Sequence, residues 1–202
     1  MTTGLAIDGG RPVRSALLPY GHQMITESDV LAVADVLRSD FLTTGPAVES
    51  FEKKISEIVG TKYAVAVSSG TAALHTMYAA AGIGPGDEII VPIMTFAATA
   101  NAALYLGARP VFADVDPSTL LIDPASVESL ITDSTKAIVG VDFGGQPAMY
   151  EVLYDLASDR GITVLADAAH SIGATRDGVP AGQIADASIL SFHPVKHVAA
   201  GE

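Results

Sequence analysis

Short apolar runs alternate with helix-like segments along this chain from residue 62 onward. The apolar runs are rich in β-branched residues and end at turn-forming residues, so they predict strands at 62–69, 87–92, 109–116, 136–143, 162–169 and 186–192. The segments between them have helical apolar spacing and helix-stop signals, which predict helices at 71–82, 95–107, 123–131 and 148–161. Continuous apolar strands separated by helices are typical of a mainly parallel sheet with helices on both faces. We therefore predict an α/β fold.

Residues 1–61 have a different pattern. Two amphipathic segments, 27–39 and 48–60, predict helices, and a turn-rich stretch, 40–46, lies between them. No internal repeat or low-complexity linker interrupts the sequence. We predict an N-terminal helical arm that precedes one α/β domain, residues 62–202.

The composition narrows the class of partner. The chain has 202 residues, of which 49% are hydrophobic and 17% are charged, which indicates a folded domain with a sizeable core. Its formal net charge is -12 and its lysines and arginines form no cluster, so nucleic acid and anionic membrane surfaces are poor partners. Because these residues include no cysteine, disulfides and thiolate chemistry are excluded within them. No metal site is predicted.

One uncharged stretch, Ile89 to Ala108, is as long as a membrane span. Pro92, two threonines and Asn101 interrupt it, and a buried strand followed by a buried helix explains it better. The first residues lack a basic region followed by an apolar core, so no signal peptide is expected. We expect a soluble, cytoplasmic protein.

Candidate ligand-binding residues follow the predicted strands, because ligands of open α/β sheets bind at the carboxyl ends of the strands. The first such segment is SSGT, residues 68–71. Gly70 permits a tight turn there, and the free N–H groups of the helix that starts at Thr71 suit a phosphate. A turn that only caps the helix is the alternative. The glycine spacing fits neither a Walker motif nor a dinucleotide fingerprint.

Phe96, Asp167 and His170 lie at the ends of later strands. Phe96 is either a core residue or a side chain that stacks on a flat ligand ring. Asp167 follows an apolar run, where a carboxylate is costly to bury unless a cation pairs with it. A helix cap or a structural hydrogen bond is the alternative for Asp167, and a structural role is the alternative for His170.

The last predicted strand leads to Ser191 and Lys196. Burial disfavours the charged form of a lysine, and a neutral amine can attack a carbonyl to form a Schiff base. A lone lysine is weak evidence for that chemistry, and the neighbouring His193 and His197 are expected to shape the loop. A phosphate cradle, a ring-stacking aromatic, a buried acid and a Schiff-base lysine are together what pyridoxal 5'-phosphate (PLP) needs. The set therefore predicts a PLP site.

The segment SFHPVKH, residues 191–197, resembles the active-site lysine motif of the DegT/DnrJ/EryC1/StrS family of sugar aminotransferases, which have aminotransferase fold type I. Further segments resemble the family in the same order: LTTGP, AVSSGTAALH, GDEIIVPIMTFAATANAALYLGARPVFADVD, VDFGGQP and ADAAHSIGA. The similarity extends from about Leu18 to the last residue.

This resemblance implies a role for each candidate residue. Lys196 would form the Schiff base and move the proton between cofactor and substrate carbons. Asp167 would pair with the pyridine nitrogen, His170 would lie near the ring hydroxyl, and Phe96 would stack on the ring. The residues that would hold the phosphate are Gly70, Thr71, Ser191 and, through its backbone, Ala72. Some relatives replace the lysine with histidine and catalyse a dehydration, so Lys196 favours transamination.

Within the family, PYGHQ (residues 19–23) and SFHPVKH resemble the pseudaminic-acid branch. That branch implies amino transfer from L-glutamate to C4 of a UDP-linked 4-keto-6-deoxy-N-acetyl hexose, by a homodimer with shared active sites. The alternatives are a sugar dehydratase, a different nucleotide-sugar aminotransferase, an amino-acid transaminase, and a non-catalytic PLP-binding protein.

The end of the sequence departs from the family. HVAAGE stands where relatives read HITTGEGG, so Ala199 and Ala200 lack two hydroxyl groups near the cofactor. We expect the chain to be the N-terminal part of a longer enzyme, in which the large domain continues and a small C-terminal domain follows.

Overall fold

The computed structural model describes residues 4–19 and 21–200. The α-helices of these residues are α1 (Glu27–Arg38), α2 (Pro46–Val59), α3 (Gly70–Ala80), α4 (Ala97–Tyr105), α5 (Pro124–Leu130) and α6 (Tyr150–Ala157). The strands are β1 (Glu88–Pro92), β2 (Arg109–Ala113), β3 (Thr135–Val141), β4 (Thr163–Asp167), β5 (Thr175–Arg176), β6 (Val179–Pro180) and β7 (Ala187–Ile189). Short 3-10 helices lie at Ala6–Asp8 and Phe143–Gly145.

The main sheet has five strands in the order β2-β1-β3-β4-β7, and every neighbouring pair is parallel. Val141 lies opposite Asp167, and Asp167 lies opposite Ile189. The carboxyl ends of β3, β4 and β7 are therefore level with one another. Side chains that follow these strands emerge at one edge of the sheet, which is where the sequence predicts a ligand.

Both faces of the sheet are buried. Successive residues of β1 point to opposite sides, so Ile89 and Val91 pack with α3 and α4, whereas Ile90 packs with α5 and α6. Tyr78 of α3 and Leu153 of α6 are among the largest fully buried side chains of the two layers. Strands that bury both faces read as continuous apolar runs, which explains why the sequence pattern predicts this arrangement. The predicted α/β fold is confirmed.

The prediction of a strand at 62–69 was wrong. The structure describes this segment without strand structure, and Tyr63 and Val65 are 72% and 76% exposed. A β-branched sequence forms a strand only where a neighbouring strand accepts its backbone hydrogen bonds. Within residues 4–19 and 21–200, no strand pairs with this segment. Its apolar side chains are therefore left on the surface.

The end of the sheet also differs from the sequence pattern. The last strand, predicted at 186–192, covers only Ala187–Ile189, because the chain then turns toward α2. There the ring of Phe192 packs edge-on against that of Phe51, with ring centroids 5.0 Å apart. The two-stranded β5–β6 hairpin was not predicted, since each of its strands has only two residues.

The two helices predicted near the N-terminus are present, as α1 and α2. A capping box at Thr26 and Asp29 starts α1, and Pro46 starts α2. The proposed division into residues 1–61 and 62–202 stays a prediction. Tyr20, within the PYGHQ segment, lies outside the described residues. No helix in the described part of the chain has the length and apolar character needed to cross a bilayer.

Candidate active site at the carboxyl ends of the strands

Asp167 ends β4 and is the most buried of the predicted site residues that carry a charge, with 5% of its surface exposed. Its Oδ2 accepts a 2.7 Å hydrogen bond from Thr99 Oγ1, and its Oδ1 accepts one of 3.2 Å from the Ala169 amide. Burial raises the pKa of Asp167 above its ordinary value, and these hydrogen bonds oppose that effect. Burial has the larger effect, so a cationic partner would further favour the ionised carboxylate.

Two basic side chains lie within electrostatic range of Asp167. In their protonated forms, His170 and Lys196 both lower the pKa of Asp167, by less than burial raises it. His170 is half-buried, and its pKa is lowered first by burial and then by the charge of Lys196. The structure thus brings together the acid, the histidine and the lysine that the sequence proposed as catalytic.

A tight turn after β7 carries Lys196. The amide of Lys196 donates a 2.8 Å hydrogen bond to the His193 carbonyl, which closes the turn. The side-chain amide of Gln23 donates to the Pro194 carbonyl, so a hydrogen bond links the N-terminal segment to this turn. Lys196 itself is half-buried.

The predicted phosphate residues meet at the start of α3. Ser69 caps this helix, and its Oγ accepts a 3.1 Å hydrogen bond from the Ala72 amide. A Cβ added to Gly70 would lie 3.4 Å from both Cβ and Oγ of Ser191, so the Ser191 hydroxyl lies directly against the first turn of the helix. Helix N–H groups and an adjacent hydroxyl form a donor set that suits an anion. Because Ser69 already engages the Ala72 amide, a role for Ala72 requires Ser69 to release it.

Phe96 occupies the N-cap position of α4 and is 73% exposed. This exposure excludes the alternative that Phe96 is a core residue of the described structure. The residue before it, Thr95, forms a hydrogen bond with Thr99, the threonine that contacts Asp167. Phe96 therefore lies in the same helical turn that contacts the buried acid, and its ring is free to contact a ligand.

Asp142 is a second buried carboxylate that the sequence analysis missed. Its Oδ1 accepts hydrogen bonds from the Tyr150 hydroxyl at 2.7 Å and the Ala148 amide at 3.0 Å, and its Oδ2 accepts one from Ser171 Oγ at 2.6 Å. Asp142 follows an apolar run just as Asp167 does, and this was the available signal. Asp142 was not considered, although it stands near the end of its predicted strand, 136–143, as Asp167 does in 162–169.

The Asp142 contacts fix the loop that follows β3 against the loop that follows β4. The Asp142 amide donates a 3.1 Å hydrogen bond to the Asp167 carbonyl. Gly145 has a φ of +91° and approaches the His170 backbone so closely that a Cβ would lie 3.1 Å from the His170 carbonyl oxygen. The ring of Phe143 lies 6.3 Å from that of His170. The loop that carries His170 is therefore packed against Gly145 through its backbone and against Phe143 through its ring.

Comparison with known proteins identifies the chain's relatives. Residues 23–202 match the model of the DegT/DnrJ/EryC1/StrS aminotransferase family. The chain belongs to this family. The family resemblance of the lysine, phosphate-loop and acid motifs is thereby confirmed, whereas the roles of individual residues and the branch within the family stay predictions.

Two curated relatives show how much of a family member this chain represents. It is 44% identical over 189 residues to the spore coat polysaccharide biosynthesis protein SpsC of Bacillus subtilis, covering 94% of this chain and 49% of that protein. It is 43% identical over 185 residues to UDP-4-amino-4-deoxy-L-arabinose–oxoglutarate aminotransferase of Shewanella sediminis, covering 92% of this chain and 47% of that protein. The chain thus spans about half the length of the curated relatives it matches.

Solved structures share the fold. Spr1654 of Streptococcus pneumoniae in its PLP form, described as a sugar aminotransferase, matches with a TM-score of 0.86 and 34% identity, over 90% of this chain and 50% of that one. GDP-4-keto-6-deoxy-D-mannose-3-dehydratase of E. coli with bound hydrated PLP matches with a TM-score of 0.86 and 34% identity, over 91% and 49%. Fold type I is therefore confirmed, and structures with this fold include both a sugar aminotransferase and a sugar dehydratase.

Proposed function

We propose that this chain provides the cofactor-binding part of a PLP-dependent aminotransferase that acts on a nucleotide-linked keto sugar. One observation carries the proposal. Asp167, a carboxylate buried at the carboxyl end of β4, lies within electrostatic range of Lys196 and His170. A buried acid at the end of one strand, with a lysine in the turn that follows the neighbouring strand, is an arrangement that suits PLP.

The residues present fit the cofactor. The first turn of α3 with Ser191 offers donors to the phosphate, Asp167 offers an anionic partner to a protonated pyridine nitrogen, and Phe96 offers an exposed ring to stack on the cofactor. Thr71, in the same first turn, adds an amide and a hydroxyl to the phosphate donors. When bound, PLP supplies an electron sink that stabilises negative charge at the substrate carbon.

Each side chain then has a task. Lys196 would anchor the cofactor's aldehyde through its Nζ, and the same Nζ would carry a proton to and from the reacting carbon. Asp167 would hold a proton on the ring nitrogen. Its contacts with Thr99 and the Ala169 amide keep the carboxylate in one orientation. Burial lowers the pKa of His170 and so favours its neutral form, which would offer a hydrogen bond to the ring hydroxyl without adding positive charge.

For the substrate, we propose L-glutamate as amino donor and C4 of a UDP-linked 4-keto-6-deoxy-N-acetyl hexose as acceptor. The name of the Shewanella sediminis relative, which pairs a UDP-4-amino sugar with oxoglutarate, supports both the sugar nucleotide and the donor. Dehydration of a keto sugar is the second candidate, since a dehydratase shares the fold. The presence of Lys196 favours transamination, because a lysine amine both anchors the cofactor and transfers the proton.

We further propose that the complete enzyme is a homodimer with shared active sites. Ile93 and Met94 are exposed beside Phe96 at the carboxyl end of β1, so an apolar surface borders the site. Apolar surface next to a site favours coverage by another protein surface.

The deciding experiment supplies the full-length enzyme and PLP with L-glutamate and the UDP-linked keto sugar. We expect 2-oxoglutarate to appear in a one-to-one ratio with a 4-amino sugar, measured by mass spectrometry. A deoxygenated keto sugar without an amine would support the dehydratase instead. Turnover of amino acid and keto acid pairs, with no reaction of the sugar, would contradict the nucleotide-sugar assignment.

A further inference from the structure

Thr95 and Thr99 form a chain of two hydrogen bonds that ends on the Asp167 carboxylate. Thr99 Oγ1 donates to Asp167 Oδ2 at 2.7 Å, and Thr95 Oγ1 lies 2.7 Å from Thr99 Oγ1. A hydroxyl group has one proton, and Thr99 uses its proton on the carboxylate. Thr95 must therefore donate to Thr99. Both bonds point toward Asp167, and hydrogen bonds in such a chain polarise one another.

We propose that Thr99, supported by Thr95, is a positioning residue for the reaction, because its hydroxyl donates to Asp167 Oδ2 and so fixes the orientation of that carboxylate. The inference rests on the proposed function, in which Asp167 is the partner of the cofactor's ring nitrogen. The contact itself belongs to this chain and is measurable without cofactor.

Burial supports this assignment. Thr99 is fully buried in the first turn of α4, and a buried hydroxyl needs a hydrogen-bond partner. Its partner is a carboxylate 68 residues away in the sequence. Thr99 also donates its amide to the Phe96 carbonyl at 3.0 Å. One helical turn thus sets both the ring-stacking candidate and the orientation of the acid.

The charges around Asp167 make the hydroxyl important. Burial raises the pKa of Asp167, and the Thr99 hydrogen bond lowers it more than the Ala169 amide, His170 or Lys196 does. A ligand that covers the site will strengthen the effect of burial, because desolvation disfavours the charged form. The Thr99 hydroxyl is thus the largest single contribution that favours the ionised carboxylate.

Three other ionisable groups face Asp167 from the elements packed around it. They are Tyr78 of α3, Asp142 after β3 and Tyr150 of α6. Burial raises the pKa of both tyrosines, so they stay neutral over the range in which a carboxyl titrates. Burial also raises the pKa of Asp142, so a titration must separate the two carboxyl groups.

The test is a pH titration of Asp167 by infrared spectroscopy in the full-length protein without cofactor, labelled with carbon-13 aspartate. The band of Asp167 is the one that Asp167→Asn removes. Thr99→Val keeps the shape of the side chain and removes the hydroxyl, so we expect the pKa of Asp167 to rise by about one to two pH units. Thr99→Ser restores the hydroxyl and should return the pKa to within about 0.3 pH units of the original value.

Thr135→Val is the matched control. Thr135 is also a buried threonine whose hydroxyl forms a hydrogen bond, from the Thr132 amide at 2.9 Å, but it lies at the opposite end of the sheet. The Thr135→Val variant should leave the titration of Asp167 unchanged. The affinity for PLP, measured by absorbance, should fall roughly tenfold in Thr99→Val and remain unchanged in Thr135→Val.

An unchanged Asp167 titration in folded Thr99→Val, or a shift that Thr99→Ser does not reverse, would overturn the inference. If Thr99→Val does not fold, Thr95→Val decides, because Thr95 is only half-buried and its loss should raise the same pKa by a smaller amount. No shift there would also overturn it. Failure of PLP to attach to Lys196 would instead contradict the proposed function, and the carboxyl titration would still stand.

Discussion

Ser171 Oγ donates a 2.6 Å hydrogen bond to Asp142 Oδ2 and so ties the loop that carries His170 to the end of β3. The same carboxylate accepts hydrogen bonds from the Tyr150 hydroxyl and the Ala148 amide. Every donor to Asp142 is neutral, and burial raises its pKa. The carboxylate therefore acts as a structural acceptor that joins the end of β3 to Ala148, to α6 and to the loop that carries His170.

The first prediction concerns this acceptor. Asp142→Asn keeps the size of the side chain but replaces one acceptor oxygen with a donor, which leaves a buried hydroxyl or amide without its partner. We expect the free energy of unfolding in urea to fall by about 1–3 kcal/mol. The exposed Asp133→Asn should leave it within about 0.5 kcal/mol. An equal loss in both variants would contradict the structural role of Asp142.

The second prediction concerns the covalent link to the cofactor. Borohydride reduction of the full-length enzyme with PLP should attach the cofactor to Lys196, as read by peptide mass spectrometry. Lys196→Arg should abolish both labelling and turnover, because a guanidinium neither forms a Schiff base nor releases its proton. The exposed Lys53→Arg should keep both. A labelled peptide that contains Lys62 or Lys136 would refute the assignment.

The third prediction compares two serines near the end of β7. Ser191 lies against Gly70 at the start of α3, so Ser191→Ala should raise the dissociation constant of PLP roughly three- to tenfold through loss of one phosphate donor. Ser188 Oγ is buried without a hydrogen-bond partner among the described residues. Ser188→Ala should leave PLP affinity unchanged and should not lower the free energy of unfolding. Equal weakening of PLP binding by both changes would argue against the cradle.

The fourth prediction concerns pH and lies at the opposite end of the sheet. The hydrogen bond from Thr132 Oγ1, 2.8 Å long, lowers the pKa of Glu88 below its ordinary value of 4.5, and the Arg109 guanidinium acts in the same direction. Because the folded-state pKa is below the unfolded value, the ionised carboxylate stabilises the fold above about pH 4.5. This contribution is lost as the pH falls through the folded-state pKa.

Glu88→Gln should therefore reduce the free energy of unfolding near pH 7, and the difference from the original protein should shrink toward about pH 3. The exposed Glu128→Gln serves as control and should show little difference at either pH. Urea titrations at the two pH values give both quantities. A Glu88→Gln deficit that stays constant with pH would mean that Glu88 stabilises the fold through packing and not through its charge.

The sequence by itself determined the layered fold and most of the proposed site. In β1, residues 89–92 are apolar without interruption because both faces of the strand are buried, so burial on both faces can be read from the sequence. Asp167 ends such a run and Lys196 follows another, and the carboxyl ends of parallel strands must lie at one edge. Gly70 was found from the run at 62–69, which forms no strand in the described structure.

Only the tertiary structure decided which groups contact one another. The hydrogen bond from Thr99 to Asp167 joins residues 68 apart, and that from Ser171 to Asp142 joins residues 29 apart. A threonine in a helix and an aspartate after a strand are locally unremarkable, so no pattern marks them as partners. Tertiary structure also decided the state of segment 62–69. Its composition favours a strand, but a strand forms only where a neighbouring strand pairs with its backbone, and none does so among the described residues.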